Sequence, residues 1–497
     1  MLNLAYNLVH GRNQLFALKY PFVPHPPFYF MTGGLFVVLF GHNILSLRIL
    51  CALLGVGTAV ALYLIGRDFF DEETGFIAGL LYAVYPAAVF FNRMAFANNQ
   101  VVFLSVLSLY ALLKYSHLRR RRWLVASSLL AGLSFVSGFI GVASMLAVIA
   151  FIFREDRKML PLAFLSLSFF PAIYVASMLY LMPDSFITDL THHGGRTAMG
   201  FTQEYLLFSF LVVITSFVLA YTMKFLFTPV SKSENGFPIV YAFFGLLVFF
   251  WLYTRFDIIV SHGLDYLTVF SSIGLLVCPL YLMRDGTAKR VFLLYLASYA
   301  LTLLFFNRTD HMTMVLYPYV ALGLATLMSG VFTLSRNHIG RTVRTSTALI
   351  GSLILAFHPI ALCLVQDIIM LSDADVLKAD AARALRVAAY VNERTRPGDV
   401  VFTYSWMAPM ISAEAATLDQ ALTYDGYGIL FFYPGNYPNE RWVFNTSLSN
   451  AKYIVVLDES LTEVEKGDRQ SFMFLDNELR RREKTVVDGF GVYGPRL

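Results

Sequence analysis

Long apolar runs separated by short basic clusters are the feature that most constrains this chain. A run of roughly 20 apolar residues crosses a bilayer as a helix, with its backbone polar groups satisfied internally. Runs near that length predict about twelve spans, at 45–66, 75–92, 98–115, 122–137, 138–153, 159–182, 205–228, 237–254, 264–283, 290–306, 312–335 and 345–370. The chain is 57% hydrophobic and 14% charged, whereas soluble domains are about 25% charged. An integral, multi-pass membrane protein is therefore predicted.

The pair of spans between Trp123 and Phe153 is the least regular, because Gly132, Gly138 and Gly141 interrupt it. This stretch fits two short helices, or one long helix followed by a broken one. The cysteines Cys51, Cys278 and Cys363 all lie in apolar runs, so they predict buried free thiols without a disulfide framework. No recognised metal-ligand spacing is present and no cofactor is predicted, although a role for a divalent metal stays open.

Basic residues fall in alternate loops between the apolar runs. These loops contain Arg67, Lys114, Arg119–Arg122, Arg154, Arg157, Lys158, Lys224, Lys232, Arg284, Lys289, Arg290, Arg336, Arg341 and Arg344. The positive-inside rule assigns them to the cytoplasm. The other loops, which hold His, Asn, Arg and aromatic residues, are predicted to lie on the outer face of the plasma membrane. The run Arg119–Arg122 is interpreted as a topology anchor that contacts anionic lipid, and nucleic acid is excluded as a partner.

The composition changes near residue 372, after which charged residues are dense. Residues 372–497 predict an outer α/β domain of about 125 residues, large enough for its own core. The pattern indicates a strand at 400–404, another at 453–457, a polar helix near 460–482 and, at 484–494, an edge hairpin or a last strand. Residues 1–371 are predicted to form the membrane domain, with an outer-face loop at 1–44. The predicted fold is therefore mainly α, with an extracytoplasmic α/β domain at the C-terminus.

The stretch from Lys19 to Phe30, KYPFVPHPPFYF, is broken by four prolines. Each proline fixes φ and removes an amide donor, so no helix is expected within this segment before Phe28. The segment is predicted to be a stiff connector at the membrane surface, with His25 at the water–lipid boundary. Residues 1–27 lack the apolar segment of a signal peptide or of a first spanning helix. Because the chain starts as if in mid-helix, we expect coding sequence upstream of Met1.

Two groups of polar residues on the predicted outer face are candidate binding sites. The first is Arg93 with Asn98 and Asn99, in which the arginine suits a phosphate and the amides suit a polar substrate. Snorkelling of Arg93 and helix capping by the asparagines are the alternative. The second is the 183–204 loop with His193, which fits a flexible loop over an active site and a plain surface loop equally well.

A third group consists of the late turn at 307–311 and the segment into which it leads. Arg308 and His311 are suited to a phosphate or to sugar hydroxyls, and Tyr317 lies one to two turns further on. An interface anchor before a kinked helix is the alternative. The loop Arg255–Asp265 is a fourth polar segment, which is interpreted as structural.

Taken in order, these segments resemble the membrane glycosyltransferases of GT-C fold that use polyprenyl-phosphate sugars, such as protein O-mannosyltransferases and lipid A aminoarabinose transferases. HPPFYF, LRILCALLGVGTAVALYLIGRDFF and GLLYAVYPAAVFFNRMAFANN carry the resemblance, which covers most of residues 1–335. It implies transfer of a sugar from a dolichyl- or undecaprenyl-phosphate donor in the membrane to a protein, lipid or glycan acceptor on the outer face. His25, Arg93, Arg308 and His311 would then contact the donor phosphate.

The sequence departs from the family pattern at the catalytic carboxylate. Relatives carry an Asp-Glu pair on the first outer loop, and Met1 falls just downstream of that position. Either the start codon lies upstream of Met1 and the protein carries both a first spanning helix and this pair, or the protein is a degenerate member of the family. A second acidic position of the family corresponds to Asn98, whose amide cannot act as a base. Among the residues present, Asp257, Asp265 and Asp310 are the candidates for the base that takes the proton of the acceptor.

Two other functions stay open. A non-catalytic binding or assembly protein derived from this family would keep the lipid-phosphate pocket without catalysing transfer. A transporter fits less well, because charged residues are almost absent from the mid-span positions at which coupling sites are built. The sugar, the acceptor and the oligomeric state do not follow from the sequence.

Overall fold

The computed structural model describes residues 2–11, 26–184, 186–187, 190–191, 286–305, 310–323, 325–326, 329, 375–404, 406–427, 442–457 and 469–496. The helices are α1 (Leu2–Val9), α2 (Phe28–Phe40), α3 (Ile44–Phe69), α4 (Glu72–Val84), α5 (Pro86–Asn92), α6 (Asn98–Leu118), α7 (Arg121–Ser137), α8 (Val142–Glu155), α9 (Leu160–Leu181), α10 (Gly286–Phe305), α11 (Asp375–Asn392), α12 (Leu418–Tyr424) and α13 (Arg469–Arg480). The strands are β1 (Val400–Thr403), β2 (Glu414–Thr417), β3 (Ala451–Val456), β4 (Arg482–Val487) and β5 (Phe490–Arg496).

Two compact units make up the chain. The first consists of Met1–Ile49, Ala176–Thr191 and Met370–Leu497, and the second of Leu50–Val175 and His192–Ile369. The predicted division groups residues 1–44 with the membrane domain instead. The assignment of the two regions to a membrane domain and an outer domain stays a prediction.

Three helices in the described part of the chain are long and apolar enough to cross a membrane. They are Leu45–Phe69, Asn98–Leu118 and Arg157–Leu181, and each agrees with a predicted span. Two shorter apolar helices are Phe28–Phe40 and Met314–Gly323. The predicted spans 205–228, 237–254, 264–283 and 345–370 lie outside the described residues, so the count of twelve stays a prediction.

The predicted span 75–92 is divided into α4 and α5. The Asp71 carboxylate starts α4 by accepting a hydrogen bond from the Thr74 amide at 2.6 Å. Tyr85 then adopts an extended conformation (φ −70°, ψ 115°) because Pro86 follows, and a residue before proline is disfavoured in the α region. Proline fits the first position of α5, where its missing amide costs nothing.

The stretch between Trp123 and Phe153 forms two short helices, the first of the two arrangements that the sequence allows. The helices α7 and α8 are separated by a single 3₁₀ turn, Phe139–Gly141. Gly141 lies against the end of α7, since a Cβ added there would be 2.3 Å from the carbonyl carbon of Ser134. A side chain at this position would force the two helices apart.

Buried hydroxyl groups connect the helices of the second unit. In this unit α6 packs against α7 and α10, and α8 packs against α7 and α10. The Tyr299 hydroxyl on α10 bonds Ser105 on α6 and, at 2.7 Å, Ser144 on α8. The Tyr295 hydroxyl bonds Ser108 at 2.6 Å. Small side chains let the helices approach, and the paired hydroxyls satisfy one another inside the unit.

The C-terminal part of the first unit is a five-stranded sheet in the order β2-β1-β3-β5-β4. The strands β2, β1 and β3 are parallel, whereas β5 runs antiparallel to both of its neighbours. Alternation along β1 places Phe402 in the core beneath α12 and α13, and Val401 in the core beneath α11. The observed strands agree with the two strands and the hairpin predicted from sequence. The helix predicted near 460–482 is described as α13, and residues 458–468 lie outside the description.

The opening helix α1 also belongs to the first unit. It packs against α2 and contacts the 3₁₀ helix Ala408–Met410 of the C-terminal region. The Tyr6 ring lies between two imidazoles, with centroid distances of 3.9 Å to His10 and 4.1 Å to His42. The contact between α1 and the 3₁₀ helix joins the N-terminal residues to the C-terminal region of the same unit.

Candidate functional site

The turn that joins α5 to α6 carries Arg93, whose side chain is exposed. The Asn99 Nδ2 donates hydrogen bonds to the carbonyls of Phe91, at 3.2 Å, and Met94, at 3.0 Å. These two carbonyls bracket Arg93 in the sequence, and Asn99 is 2% exposed. A buried amide therefore fastens the turn from inside and holds Arg93 at the surface.

Asn98 connects this turn to a distant part of the chain. Its Nδ2 lies 3.6 Å from the sulfur of Met312. Met312 belongs to the 3₁₀ helix Asp310–Leu316, which packs against α5, α6 and α10. The N-cap of α6 is Ala97, and no side chain caps the helix. Both asparagines therefore serve tertiary contacts instead of capping α6.

Tyr317 lies in an aromatic cluster beneath the turn. Its ring is 1% exposed and packs edge-on against Tyr85, with a centroid distance of 5.4 Å, and against Phe91 at 6.3 Å. The 3₁₀ helix is thereby anchored to α5. The structure thus places the turn that carries Arg93, together with Asn98 and Asn99, beside the 3₁₀ helix Asp310–Leu316 and Tyr317.

An apolar groove of about 500 Å³ runs along α3, α4 and α5 and ends beside Arg93. Its walls are mainly Ala, Val, Leu and Phe side chains, of which Val56 and Phe76 are each 62% exposed. Asn92 and Arg93 supply polar groups at the α5 end. Because α3 is long and apolar enough to span a membrane, these exposed apolar side chains fit a lipid-facing surface.

The shape of the groove follows from where α3 and α4 touch. A Cβ added to Gly66 would lie 2.4 Å from the Gly75 Cα, so the two backbones are in direct contact there. Further along, a Cβ added to Gly79 would lie 3.0 Å from the Ala59 carbonyl oxygen, so the helices stay close. Several residues of the two helices that line the groove are small, among them Ala52, Gly55 and Ala59 on α3, and Gly79 and Ala83 on α4. This groove was not among the sites predicted from the sequence. Its signal is the spacing of these small residues, three or four positions apart on one helix face.

Several predicted site residues lie outside the part of the chain that the structure describes: His25, His193, Arg308, Asp257 and Asp265. Of the three candidate carboxylates, Asp310 alone falls in the described ranges, where it begins the 3₁₀ helix two residues before Met312. The roles assigned to all these residues stay predictions. Among the described residues, no group of three or more His, Cys, Asp or Glu side chains is arranged to hold a metal ion.

Residues 24–181 match the protein family described as dolichyl-phosphate-mannose-protein mannosyltransferase. The structure is also similar to that of ArnT from Cupriavidus metallidurans in the apo state, with a TM-score of 0.57 and 12% identity over 99% of this chain and 92% of ArnT. The predicted resemblance to the membrane glycosyltransferases is confirmed. None of the curated proteins matches the chain by sequence.

Oligosaccharyltransferases share this GT-C fold. The apo enzyme from Archaeoglobus fulgidus has a TM-score of 0.52 and 15% identity, over 99% of this chain and 70% of that enzyme. AglB from the same organism, in complex with an inhibitory peptide and a dolichol-phosphate, has a TM-score of 0.50 and 16% identity, over 99% of this chain and 69% of AglB. At sequence identities of 15% and 16%, the similarity between this chain and these enzymes is a similarity of fold.

Proposed function

We propose that this protein is a glycosyltransferase that takes a sugar from a membrane polyprenyl-phosphate donor, dolichyl or undecaprenyl. The acceptor is a protein, lipid or glycan on the outer face of the plasma membrane. The observation that carries the proposal is the apolar groove along α3 that ends beside Arg93. An isoprenoid chain matches the apolar walls, and a guanidinium matches a phosphate with two parallel hydrogen bonds.

Arg93 is the proposed contact for the donor phosphate. When the bond between the sugar C1 and the phosphate oxygen breaks, negative charge grows on the phosphate, and a fixed cation beside it stabilises that charge. The buried Asn99 amide holds the turn on both sides of Arg93. Asn99 is therefore a positioning residue in this proposal, and Arg93 touches the donor.

The acceptor oxygen forms the new bond to C1 while its proton passes to a carboxylate. Asp310 is the candidate for this base in the described part of the chain, because its 3₁₀ helix packs against α5 and α6 at the Arg93 turn. Asp257 and Asp265 remain candidates from the sequence. AglB, which shares the fold, has been seen with a dolichol-phosphate, and this supports a lipid-phosphate ligand here.

Filling the groove tests the proposed donor site. Ala83 lines the groove, so Ala83→Phe should raise the KM for a polyprenyl-phosphate hexose about tenfold, equivalent to roughly 1.4 kcal/mol of binding. Leu53→Phe is the matched control, since Leu53 is exposed on α3 but does not line the groove. The measurement is transfer of labelled hexose in membranes that contain each variant. Equal KM values for the two variants would remove the groove from the donor site.

Charge removal tests the phosphate contact and the base. Arg93→Gln should weaken donor binding, whereas Arg154→Gln, at the end of α8, should not.

Asp310→Asn should lower kcat with little change in KM if Asp310 is the base. Full transfer by the Asn variants of Asp257, Asp265 and Asp310 would exclude all three. A wild-type protein that binds the donor but transfers nothing would favour the non-catalytic alternative.

A further inference from the structure

Four consecutive arginines, Arg119–Arg122, form the turn between α6 and α7, which we call the arginine turn. We propose that the arginine turn binds the phosphate headgroup of an anionic phospholipid in the leaflet at that end of the bundle. The proposal does not rest on the proposed function. Helix α6 has 21 residues between the Arg93 turn and the arginine turn, which corresponds to roughly 30 Å.

The arginine turn has no counter-ion within the described residues. All four of its side chains are exposed, and no carboxylate of the described chain lies within ion-pair distance of their guanidinium groups. Neighbouring basic residues differ in this respect. Lys114 pairs with Asp68 at 2.7 Å, and Arg290 pairs with Glu155 at 3.1 Å. Positive charge that the protein leaves uncompensated at one place suits an external anion.

The backbone of the arginine turn adds donors. Arg120 precedes α7 without a side-chain cap, so the first amides of α7, those of Arg121 and Arg122, have no acceptor in the described chain. Free amides at a helix start attract phosphate oxygens. Arg119 closes α6 in the left-handed conformation (φ 53°, ψ 23°), a position that normally takes glycine. Arg119 therefore adopts an unfavourable backbone conformation, and its side chain supplies the fourth positive charge of the arginine turn.

The residues beside the arginine turn are of the kinds that lie at the level of the lipid headgroups. Leu118 is 43% exposed beside the turn, and the Trp123 ring lies under the Arg122 guanidinium at 5.8 Å. Tryptophan is enriched where a membrane meets water. The helices α6 and α7 pack along their length, so the four guanidiniums are presented by a rigid hairpin.

The test compares retention of phosphatidylglycerol and phosphatidylcholine by the full-length protein. Protein in mixed micelles with equal amounts of the two lipids is examined by native mass spectrometry. We expect the wild type to retain phosphatidylglycerol at least about fivefold over phosphatidylcholine, a preference typical of several arginines near an anionic surface. The variant R119Q/R120Q/R121Q/R122Q should show a ratio near one. The elution profile of this variant must match that of the wild type, as a check that the variant is folded.

The variant R154Q/R157Q/K158Q is the matched control. It removes three charges from the α8–α9 turn at the same end of the bundle, where the Tyr115 hydroxyl of α6 donates to Asp156 at 2.7 Å. This control should keep the preference. If the quadruple variant does not fold, R121Q/R122Q should lose at least about half of the preference.

Three results on the lipid preference would overturn the proposal. They are a wild type that does not prefer phosphatidylglycerol, an arginine-turn variant that keeps this preference, and a control variant that loses as much of it as the arginine-turn variant. Displacement of phosphatidylglycerol by an equal concentration of inorganic phosphate would assign the turn to free anions and would also overturn it.

Discussion

The Asn98 amide and the Met312 sulfur lie 3.6 Å apart although 214 residues separate them in sequence. A thioether is a weak acceptor, so the contact contributes more to position than to stability. A Cβ added to Gly138 would be 3.7 Å from the Asn98 Oδ1. Asn98 therefore sits between the end of α7 and the 3₁₀ helix that begins at Asp310.

Asn99 should contribute to the stability of the Arg93 turn. Asn99→Ala removes two hydrogen bonds to the carbonyls of Phe91 and Met94, at a net cost of about 0.5–1.5 kcal/mol for each bond. Each carbonyl keeps one backbone hydrogen bond, from the Met94 amide and the Phe96 amide respectively. Arg93→Gln, at the exposed position of the same turn, is the control and should change the Tm little. Thermal unfolding of both variants in detergent measures the difference, and an equal or larger fall in Tm for Arg93→Gln would contradict this assignment.

The buried tyrosines of the second unit provide a second contrast. Tyr299→Phe removes a hydroxyl that bonds Ser105 and Ser144, and should cost about 0.6–1.7 kcal/mol, as for hydrogen bonds between membrane helices. Tyr319→Phe is the matched variant, because no described residue bonds the buried Tyr319 hydroxyl. Removal of an unsatisfied polar group should leave stability unchanged or raise it. The free energies of unfolding in detergent test this order, and a reversed order would refute it.

Arg482 should be essential for the C-terminal sheet. Its side chain is 4% exposed and donates to the carbonyls of Ala451, Leu448 and Gly494 at 2.6, 2.9 and 3.0 Å. Lysine lacks the planar fork that reaches three acceptors, so Arg482→Lys should cost about 2–4 kcal/mol. Hydrogen exchange of β3 and β5 in the full-length protein reports the loss. Arg481→Lys, at an exposed position, is the control and should leave exchange unchanged.

Asp399 should make the sheet sensitive to acid. Its carboxylate accepts hydrogen bonds from the Arg396 amide at 2.7 Å and from Lys452 at 3.1 Å, and these partners lower the pKa of Asp399 below its usual 3.8. A lowered carboxyl pKa adds stability above the unfolded-state pKa, and this stability is lost as the pH falls through the folded-state pKa. Asp399→Asn should therefore be less stable than the wild type at neutral pH, with the difference vanishing in acid.

Hydrogen exchange of β1 at several pH values, corrected for the intrinsic exchange rate, measures this effect. Asp476→Asn is a useful control, since Asp476 pairs with Arg480 at the surface. A difference between wild type and Asp399→Asn that is constant over the whole pH range would show that the ion pair does not contribute.

The first residue of a helix or strand could be predicted from the sequence in those places where a local rule determines it. Helix α2 begins at Phe28 because the prolines before it cannot continue a helix. The hairpin between β4 and β5 turns at Asp488 and Gly489, both with positive φ, and a Gly-containing turn between β-branched runs was its signal. The division of 75–92 at Pro86 obeys an equally local rule, although apolar length favoured a single span.

The sequence by itself determined that this is a membrane protein, at which positions of the chain its basic residues cluster, and that an α/β region follows residue 372. These features could be predicted because composition and periodicity are local properties. The tertiary structure decided that Asn98 meets Met312 and that a groove leads to Arg93. Both depend on how closely distant helices approach, and a direct backbone contact such as that of Gly66 with Gly75 is set by the packing of whole helices.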